Sequence, residues 1–258
     1  MTDLVTRQVV TPGLIRLTLN RPDAFNALSE AMLAALQTEL DAVAGDESIK
    51  VVILAAAGKA FCAGHDLKEM RAAPSQDYYE GLFKQCTSVM MSIVRLPQPV
   101  IAQVEGVATA AGCQLVAMCD LAVSADTARF AVSGVNLGLF CSTPSVALSR
   151  NVSRKHALYM LLTGEFIDAQ TACDWGLINE VAPAADVAQA TEALAQKILK
   201  KPAPALRMGK RLFYEQVETN IERAYELAGQ TMACNMMDET ALEGVQAFID
   251  KRAPNWSN

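Results

Sequence analysis

Two stretches of small residues, each lying between a short apolar segment and the start of a helix, are the features of this sequence best suited to chemistry. Residues 100–104 form an apolar run with β-branched side chains, and the small residues 108–112 lead from it into a helix. Residues 50–56 form a second apolar run, which is followed by small residues and by a short helix over 66–71. A loop that leads into a helix N-terminus presents unpaired N–H groups and the positive end of the helix dipole. Two such loops, each aiming one N–H group inward, would supply the two donors of an oxyanion hole.

The elements that position these loops alternate between strands and helices in the first half of the chain. Beyond the two apolar runs, the pattern predicts a hairpin of strands 4–10 and 13–20, a helix capped by Ser29 and ending at 44, a long helix over 78–96, and a strand over 121–124. The second half is predicted to be helical, with Ser153 and Asp168 as caps and with helices over 185–200, 203–217, 221–237 and 238–251. The fold class is therefore α/β, with strands confined largely to the first half.

Composition limits the kinds of partner that this chain would take. The chain has 258 residues, of which 52% are hydrophobic, and this is ample for a sizeable core. Its formal net charge of −6 argues against nucleic acid or an anionic membrane as the main partner. No apolar run reaches the roughly 18 residues of a membrane span.

Cysteine usage and the amino-terminal residues bear on the compartment. The seven cysteines are odd in number, include no C-x-x-C pair and lie mostly in apolar segments, so we interpret them as small buried side chains in a reducing compartment. The first ten residues, MTDLVTRQVV, have neither a signal-peptide core nor an Arg- and Ser-rich transit pattern, and a cytoplasmic protein is the expectation. No cluster with zinc or calcium spacing occurs, which predicts no metal.

Longer motifs occur around both loops and along the rest of the chain. The sequence GKAFCAGHDLKEM covers 58–70, and VATAAGCQLVA covers 107–117. LNRP at 19–22 is followed by NAL at 26–28, LLTGEFIDAQTACDWGLI covers 161–178, and Glu243-Gly244, Ala247-Phe248 and Lys251-Arg252 lie near the end. In this order and over nearly the whole chain, these motifs resemble the crotonase (enoyl-CoA hydratase/isomerase) superfamily.

The resemblance implies a fold and an assembly. It implies a spiral of ββα repeats that carries an acyl-CoA pocket in residues 1–200, and a helical C-terminal trimerisation region in residues 201–258. Trimers of this superfamily often pair into hexamers, so a homotrimer or a hexamer is expected. Met232, Met236 and Met237 suit such an interface, although core packing is the more common role for any one of them. The substrate would be a coenzyme A thioester, with no separate cofactor, and the class of reaction would be that of a lyase in fatty acid metabolism.

The resemblance also assigns roles to individual residues. The oxyanion donors fall on the N–H groups of His65 and Ala111, and an alanine at the second position still donates if its φ is negative. Contacts to the CoA thioester are expected from Ala63, Asp66, Leu67 and Lys68 in the first loop, and from Phe248 and Lys251 of a neighbouring subunit at the adenine end. Two alternatives remain open here, namely a solvated surface role for Lys68 and a core role for Phe248.

The main departure from the superfamily concerns its two hydratase glutamates, which activate water and protonate the α-carbon. Their positions fall here on Gln114 and Gly134, and neither residue carries a titratable group. Because each positioned acid or base contributes roughly 10² to 10⁴ in rate, hydration is expected to be weak or absent.

Other residues near the loops could stand in for these carboxylates. His65 could act as an acid or base, although a hydrogen-bonded structural role is the more common one. Glu69 is interpreted as a surface carboxylate and Cys113 as a packing residue. Cys141, Ser142 and Thr143 follow the second loop, but a nucleophile there would need an adjacent base, and the sequence supplies none.

Three functions remain open from the sequence. The first is a thioester enzyme that stabilises an enolate in the oxyanion hole and is nominally an enoyl-CoA hydratase. The second keeps the pocket but changes the reaction, for example to thioester hydrolysis or decarboxylation. The third is an acyl-CoA-binding protein without catalysis. Binding without turnover would separate the third from the other two.

Overall fold

The computed structural model describes residues 3–256, in which strands fill the first half and helices the second. The strands are β1 (Val5–Thr11), β2 (Leu14–Leu19), β3 (Val51–Ala56), β4 (Ala60–Cys62), β5 (Val100–Val104), β6 (Val107–Thr109), β7 (Leu121–Ala125), β8 (Arg129–Ala131), β9 (Ile167–Asp168) and β10 (Glu180–Ala182). The α-helices are α1 (Glu30–Ala44), α2 (Leu67–Ala72), α3 (Gln76–Arg95), α4 (Ala111–Met118), α5 (Ser142–Asn151), α6 (Arg154–Thr163), α7 (Ala169–Asp174), α8 (Val187–Leu199), α9 (Ala203–Val217), α10 (Ile221–Met236) and α11 (Glu239–Ile249). The predicted helix caps Ser29, Ser153 and Asp168 all accept a hydrogen bond from the first turn of their helices.

The chain forms two sheets by following a repeated path between them. The first sheet has the strand order β1-β2-β3-β5-β7-β10, and the second has the order β4-β6-β8-β9. After the β1–β2 hairpin, each turn of the chain places one strand in the first sheet and the next in the second, as β3–β4, β5–β6 and β7–β8. Helices follow each pair. This is the predicted spiral of ββα repeats, and the α/β fold class is confirmed.

The second sheet is the part of the fold that sequence patterns did not reveal. β4, β6 and β8 are only three residues long, too short for a period-two pattern to stand out. They pair in parallel, β4 with β6 and β6 with β8. Their carboxyl ends therefore lie side by side at one edge of the sheet.

Two glycines allow the helices and loops to approach this sheet closely. A Cβ atom on Gly112, in the first turn of α4, would lie only 2.0 Å from the carbonyl oxygen of Cys62 at the end of β4. A Cβ atom on Gly106, between β5 and β6, would lie 2.2 Å from the carbonyl oxygen of Lys59. Only glycine fits at either position, and α4 consequently begins directly against β4.

The amino-terminal motif LNRP…NAL ties the first hairpin to the same edge. Asn26 is fully buried, and its Nδ2 donates to the carbonyl oxygens of Ala57 and Ala60, while its Oδ1 accepts from the N–H of Arg21. Leu28 then donates its N–H to the carbonyl oxygen of Gly64. The motif is thus a clamp on the loop that follows β4.

The C-terminal helix α9 is anchored through a half-buried polar cluster. Lys210 of α9 donates to Asp120 Oδ2 at 2.6 Å and to the carbonyl oxygens of Ile93 and Gln98, and Tyr214 donates to Asp120 Oδ1. Asp120 also accepts from the N–H of Val100, at the start of β5. This cluster satisfies a buried ammonium group and joins α9 to the core.

Exposure corrects two predictions about the C-terminal helices. Phe248 is 85% exposed, so its alternative role in the core is wrong for the single chain. Met232 and Met237 are 70% and 76% exposed, and Met236 is also exposed, so core packing is wrong for these residues as well. Within residues 3–256, no helix combines the length and the apolar character that crossing a membrane requires.

Candidate active site

The loops that leave β4, β6 and β8 converge because those three strands are parallel neighbours. The first loop contains Ala63 and His65, the second contains Ala110 and Ala111, and the third begins at Ser133. All of these residues line one cavity. The two loops predicted from sequence are therefore brought together, and a third joins them.

The backbone N–H groups of His65 and Ala111 are both free in this arrangement. Both residues line the cavity, and neither N–H donates a hydrogen bond to any group of the described chain. The loops are in contact, since a Cβ atom on Gly64 would lie 3.4 Å from the nitrogen of Ala111 and 2.9 Å from the Cβ of Ala110. Two free backbone N–H groups on loops in contact can together stabilise an oxyanion.

Ala110 adopts a backbone conformation that L-residues rarely take. Its φ and ψ are 51° and −121°, and its own N–H donates to the carbonyl oxygen of Ala131 on β8. Such strain costs about 1–3 kcal/mol and persists only where the surroundings enforce it. Ala111 is absent from the residues with positive φ, so it meets the condition under which an alanine can serve as the second donor.

The cavity has a volume of about 270 Å³, and its wall is apolar. Sequence reasoning missed most of this wall. The missed lining residues are Met70, Phe83, Ala110, Ser133, Leu137, Leu139, Phe140 and Pro144. Leu137, Leu139 and Phe140 are strongly exposed apolar residues, but a sequence without a structure cannot distinguish exposed from buried leucine. None of the lining residues in the described chain is Asp, Glu, Lys, Arg or Tyr.

The His65 ring is held against the wall of this cavity. Its Nδ1 lies 3.3 Å from the carbonyl oxygen of Leu28, and its ring packs edge-on against Phe83 with centroids 5.5 Å apart. A carbonyl oxygen only accepts, so the tautomer that satisfies this contact carries its proton on Nδ1. Nε2 is then a buried acceptor without a partner. Burial lowers the pKa of the imidazole, so the ring is neutral at pH 7.

Gln114 and Gly134 differ in their position relative to the cavity. Gln114 is 5% exposed and does not line the cavity, and its buried Oε1 has no hydrogen-bond partner. Gly134 lines the cavity and is tightly enclosed, since a Cβ atom there would lie 2.5 Å from the carbonyl oxygen of Leu139 and 2.7 Å from Cys141 Sγ. No side chain fits at position 134 without movement of the backbone.

Cys141, Ser142 and Thr143 form the wall where α5 begins. Cys141 is the N-cap residue of α5, and its Sγ accepts from the N–H of Gly134 at 3.3 Å. Ser142 donates its hydroxyl to the carbonyl oxygen of Phe140, and Thr143 lines the cavity beside them. Burial raises the pKa of the Cys141 thiol, which favours the protonated form.

The first-loop residues Asp66, Leu67 and Lys68 have separate environments. Asp66 caps α2 by accepting from the N–H groups of Lys68 and Glu69, and it forms a 2.8 Å ion pair with Arg21. Burial alone would raise the pKa of the Asp66 carboxyl, but these hydrogen bonds and the Arg21 guanidinium lower it below its usual value. Leu67 lines the cavity, whereas Lys68 is exposed and does not.

Phe248 and Lys251 lie apart from the cavity of their own chain. Phe248 is on α11, and Lys251 follows the helix with a positive φ of 55°. Neither lines the cavity. Glu243 and Arg252 fix this end of the chain through a two-point ion pair, which lowers the pKa of the Glu243 carboxyl to about 2.

Metal ligation finds no support in the part of the chain that the structure covers, 3–256. No group of three or more His, Cys, Asp or Glu side chains there is arranged to hold a metal ion. His156, the other histidine, stacks on Trp175 with ring centroids 4.1 Å apart.

Comparison with known proteins places this fold and cavity in a family. A sequence model of the enoyl-CoA hydratase/isomerase family matches residues 10–258. The chain belongs to this family, whose members use a coenzyme A thioester as substrate and need no further cofactor.

Individual relatives agree with this assignment. The chain is 46% identical over 246 residues to the mitochondrial enoyl-CoA hydratase domain-containing protein 3 of Rattus norvegicus, an alignment that covers 95% of this chain and 82% of that protein. The crystal structure of an enoyl-CoA hydratase from Mycobacterium smegmatis is 62% identical and superposes with a TM-score of 0.98 over the full length of both chains. The human enoyl-CoA hydratase domain-containing protein 3 structure is 45% identical, with a TM-score of 0.94, and covers 98% of this chain and 100% of that one.

The comparisons correct the expected compartment. The prediction of a cytoplasmic protein is wrong, because the domain-containing protein 3 relatives are named as mitochondrial proteins. That prediction rested on the composition of ten residues, which do not determine where a protein resides.

Proposed function

We propose that this protein binds an acyl-CoA thioester in the cavity and polarises the thioester carbonyl with the N–H groups of His65 and Ala111. The observation that carries the proposal is the pair of unpaired backbone donors on two loops in van der Waals contact, both lining one apolar cavity. Donors that are fixed before the ligand arrives stabilise the charge that develops on an enolate oxygen. Membership in the enoyl-CoA hydratase/isomerase family supports the thioester as the ligand.

Efficient hydration is not part of this proposal. Hydration of an enoyl thioester needs a base that takes a proton from water and an acid that protonates the α-carbon. No lining residue of the described chain has a carboxylate, and position 134 has no room for one. The oxyanion hole instead suits reactions that pass through a thioester enolate with a single proton transfer.

The test of binding uses a charge placed on the cavity wall. Leu137 lines the cavity and is 68% exposed, whereas Leu162 on α6 is 63% exposed and lies outside it. Isothermal titration with butyryl-CoA is expected to show binding to the wild type and to Leu162→Glu. Leu137→Glu is expected to bind about 10- to 100-fold more weakly, since a leucine contact is worth about 1.5–3 kcal/mol. Equal affinities for the two variants would contradict the proposed pocket.

The test of reaction class follows the loss of enoyl-thioester absorbance from crotonyl-CoA. A hydratase of the same family that has both glutamates serves as the reference under identical conditions. This protein is expected to be slower by at least about 10²-fold, because each missing acid or base contributes roughly 10² to 10⁴ in rate. Hydration at the rate of the reference enzyme would overturn this part of the proposal.

We also propose that the C-terminal helices pack against other copies of the chain, as a trimer or a hexamer. α9 and α10 have no buried residue in the single chain, and Phe213, Ile221 and Tyr225 are all strongly exposed. An apolar surface of this extent on helices is typical of a protein–protein interface. Sedimentation equilibrium of the wild type is expected to give three or six times the chain mass. A monomer would contradict the proposal.

Assembly would bring Phe248 and Lys251 to the CoA of a neighbouring subunit. Under this proposal Phe248→Ala weakens binding of butyryl-CoA without dissociating the oligomer, and Ile249→Ala, which changes an exposed apolar neighbour on α11, serves as the control. Unchanged affinity in Phe248→Ala would remove Phe248 from the site.

A further inference from the structure

Few side chains around the cavity can exchange a proton with a bound thioester. Among the lining residues in 3–256, only His65 and Cys141 have groups that titrate between acid and moderately alkaline pH. The hydroxyl of Ser133 pairs with Thr109 at 3.0 Å, and that of Ser142 with the carbonyl oxygen of Phe140. An enolate in this cavity would therefore have two candidate proton donors.

Cys141 is positioned by its neighbour Gly134 and is left free to donate. Its Sγ accepts the N–H of Gly134, and the thiol has no acceptor for its own proton in the described chain. The side chain is 7% exposed, yet it lines the cavity. Because Gly134 has no side chain, the sulfur occupies the space that a Cβ atom at 134 would enter.

The His65 side chain, in contrast, is held in place by contacts with its neighbours in the cavity wall. Its Nδ1 contacts the carbonyl oxygen of Leu28, and its ring is packed against Phe83. A neutral imidazole that carries its proton on Nδ1 has no proton on Nε2 to give. His65 can accept a proton in this state but cannot donate one to an enolate.

A second polar side chain next to the cavity lacks a partner. Gln114 is at the position three residues after Ala111 on α4, so the two residues share a face of the helix. Helical side chains lean toward the N-terminus, which directs the Gln114 amide toward the cavity end of α4. Its buried Oε1, which has no hydrogen-bond partner, costs about 1–3 kcal/mol if it stays unpaired.

We propose that the Cys141 thiol is the group that exchanges a proton with the α-carbon of the bound acyl thioester. In the forward step the α C–H bond breaks, its proton moves to a Cys141 thiolate, and the electron pair passes to the carbonyl oxygen held by His65 and Ala111. In the reverse step the thiol returns a proton to the α-carbon of the enolate. Water replaces the proton on sulfur between the two steps, so no oxidant or other reactant is needed.

Burial gives this step a particular pH dependence. The raised pKa of Cys141 keeps the thiol protonated at neutral pH, which suits it as a donor to an enolate. Cys141 acts as a base only when its thiol is ionised. The rate of exchange at the α-carbon is therefore expected to keep rising with pH past the ordinary thiol pKa of about 8.5. No carboxylate or ammonium group lines the cavity to alter this trend.

The test is deuterium incorporation at the α-carbon of butyryl-CoA in D₂O, followed by proton NMR. Cys141→Ser keeps a hydrogen-bond acceptor for Gly134 but replaces the thiol with a group that does not ionise in this range. It is expected to slow exchange by about 10² or more. Cys173→Ser makes the same substitution on α7, outside the cavity, and is expected to exchange at the wild-type rate.

The outcomes separate this inference from the proposed function on which it rests. Titration with butyryl-CoA is run on the same preparations. Binding with wild-type exchange in Cys141→Ser would overturn the role of Cys141. Binding without exchange by the wild type would also overturn it but would leave the binding site intact. Failure of the wild type to bind would overturn both proposals.

Discussion

The replacement of Gly64 by alanine tests whether contact between the two loops sets the oxyanion hole. Gly64 has a φ of +92°, and an added Cβ would lie 2.9 Å from the Cβ of Ala110 and 3.4 Å from the nitrogen of Ala111. A positive φ costs an alanine about 1–2 kcal/mol in stability. The close contact adds a second effect, because it must push the first loop away from the donor of the second.

The effect on function can be measured as the preference of the protein for a ligand that has the thioester carbonyl over one that lacks it. Each backbone hydrogen bond contributes about 0.5–1.5 kcal/mol net, so two donors favour butyryl-CoA over its carbonyl-free thioether analogue by about 1–3 kcal/mol. This corresponds to roughly a 5- to 150-fold difference in Kd. Isothermal titration with both ligands measures the ratio directly. In Gly64→Ala the ratio is expected to fall toward unity.

Gly176→Ala provides the matched control for this experiment. Gly176 has a similar φ of +86°, its nearest neighbour is the carbonyl oxygen of Asn151 at an ordinary 3.5 Å, and it lies outside the cavity. It therefore carries the same backbone penalty without moving the donors. If Gly64→Ala kept the same ratio of affinities as Gly176→Ala, the reasoning about the two loops would be refuted.

Three further predictions follow from particular residues. Ala110→Gly is expected to raise stability in urea unfolding by about 1 kcal/mol, because it releases the strain at φ 51°, and a loss of stability would contradict the strain. Gln114→Glu places a carboxyl where burial raises its pKa, so any gain in crotonyl-CoA hydration is expected only above neutral pH, and a gain that is constant from about pH 6 would show an ionised carboxylate instead. The Asp66 carboxyl has a lowered pKa in the fold, so it binds protons less readily than in the unfolded chain, and its contribution to stability is present at neutral pH and lost as pH falls below about 4. Urea unfolding of Asp66→Asn and the wild type is expected to differ at about pH 6 and to converge toward pH 3, whereas a constant difference would contradict the linkage.

The parts of the fold that were predictable are those with a local physical signature. Ser29, Ser153 and Asp168 cap helices through contacts three residues away, and apolar periodicity revealed α1, α3 and the C-terminal helices. The loops around Gly64 and Ala111 were found because small residues lie between an apolar run and the start of a helix, a common pattern that the family motifs at 58–70 and 107–117 made specific.

The parts that were not predictable depend on contacts distant in the chain. β4, β6 and β8 are strands only because each pairs with the next, and their three-residue length leaves no pattern. α5 begins at Ser142 after the N-cap residue Cys141, whose side chain makes no capping hydrogen bond, so the sequence does not indicate where the helix starts. The enclosure of Gly134 by Leu139 and Cys141 is equally invisible in a sequence, although it excludes a carboxylate at that position.

Exposure was the other limit of sequence reasoning. Phe248 and Met237 are apolar and lie on predicted helices, which favours a core role in any pattern-based prediction. Both are exposed in the single chain, as are the apolar side chains Phe213, Ile221 and Tyr225 of α9 and α10. A helix face that packs on the core and a helix face that packs on another subunit have the same apolar sequence pattern.

The central claim is that the N–H groups of His65 and Ala111 polarise a thioester carbonyl, and a ¹³C NMR spectrum of carbonyl-labelled butyryl-CoA tests it most directly. Two hydrogen bonds to the oxygen withdraw electron density from the carbonyl carbon. The proposed polarisation predicts a downfield shift of the bound carbonyl resonance with the wild type and with Gly176→Ala, and a smaller shift with Gly64→Ala. A bound resonance at the position of free butyryl-CoA would contradict it.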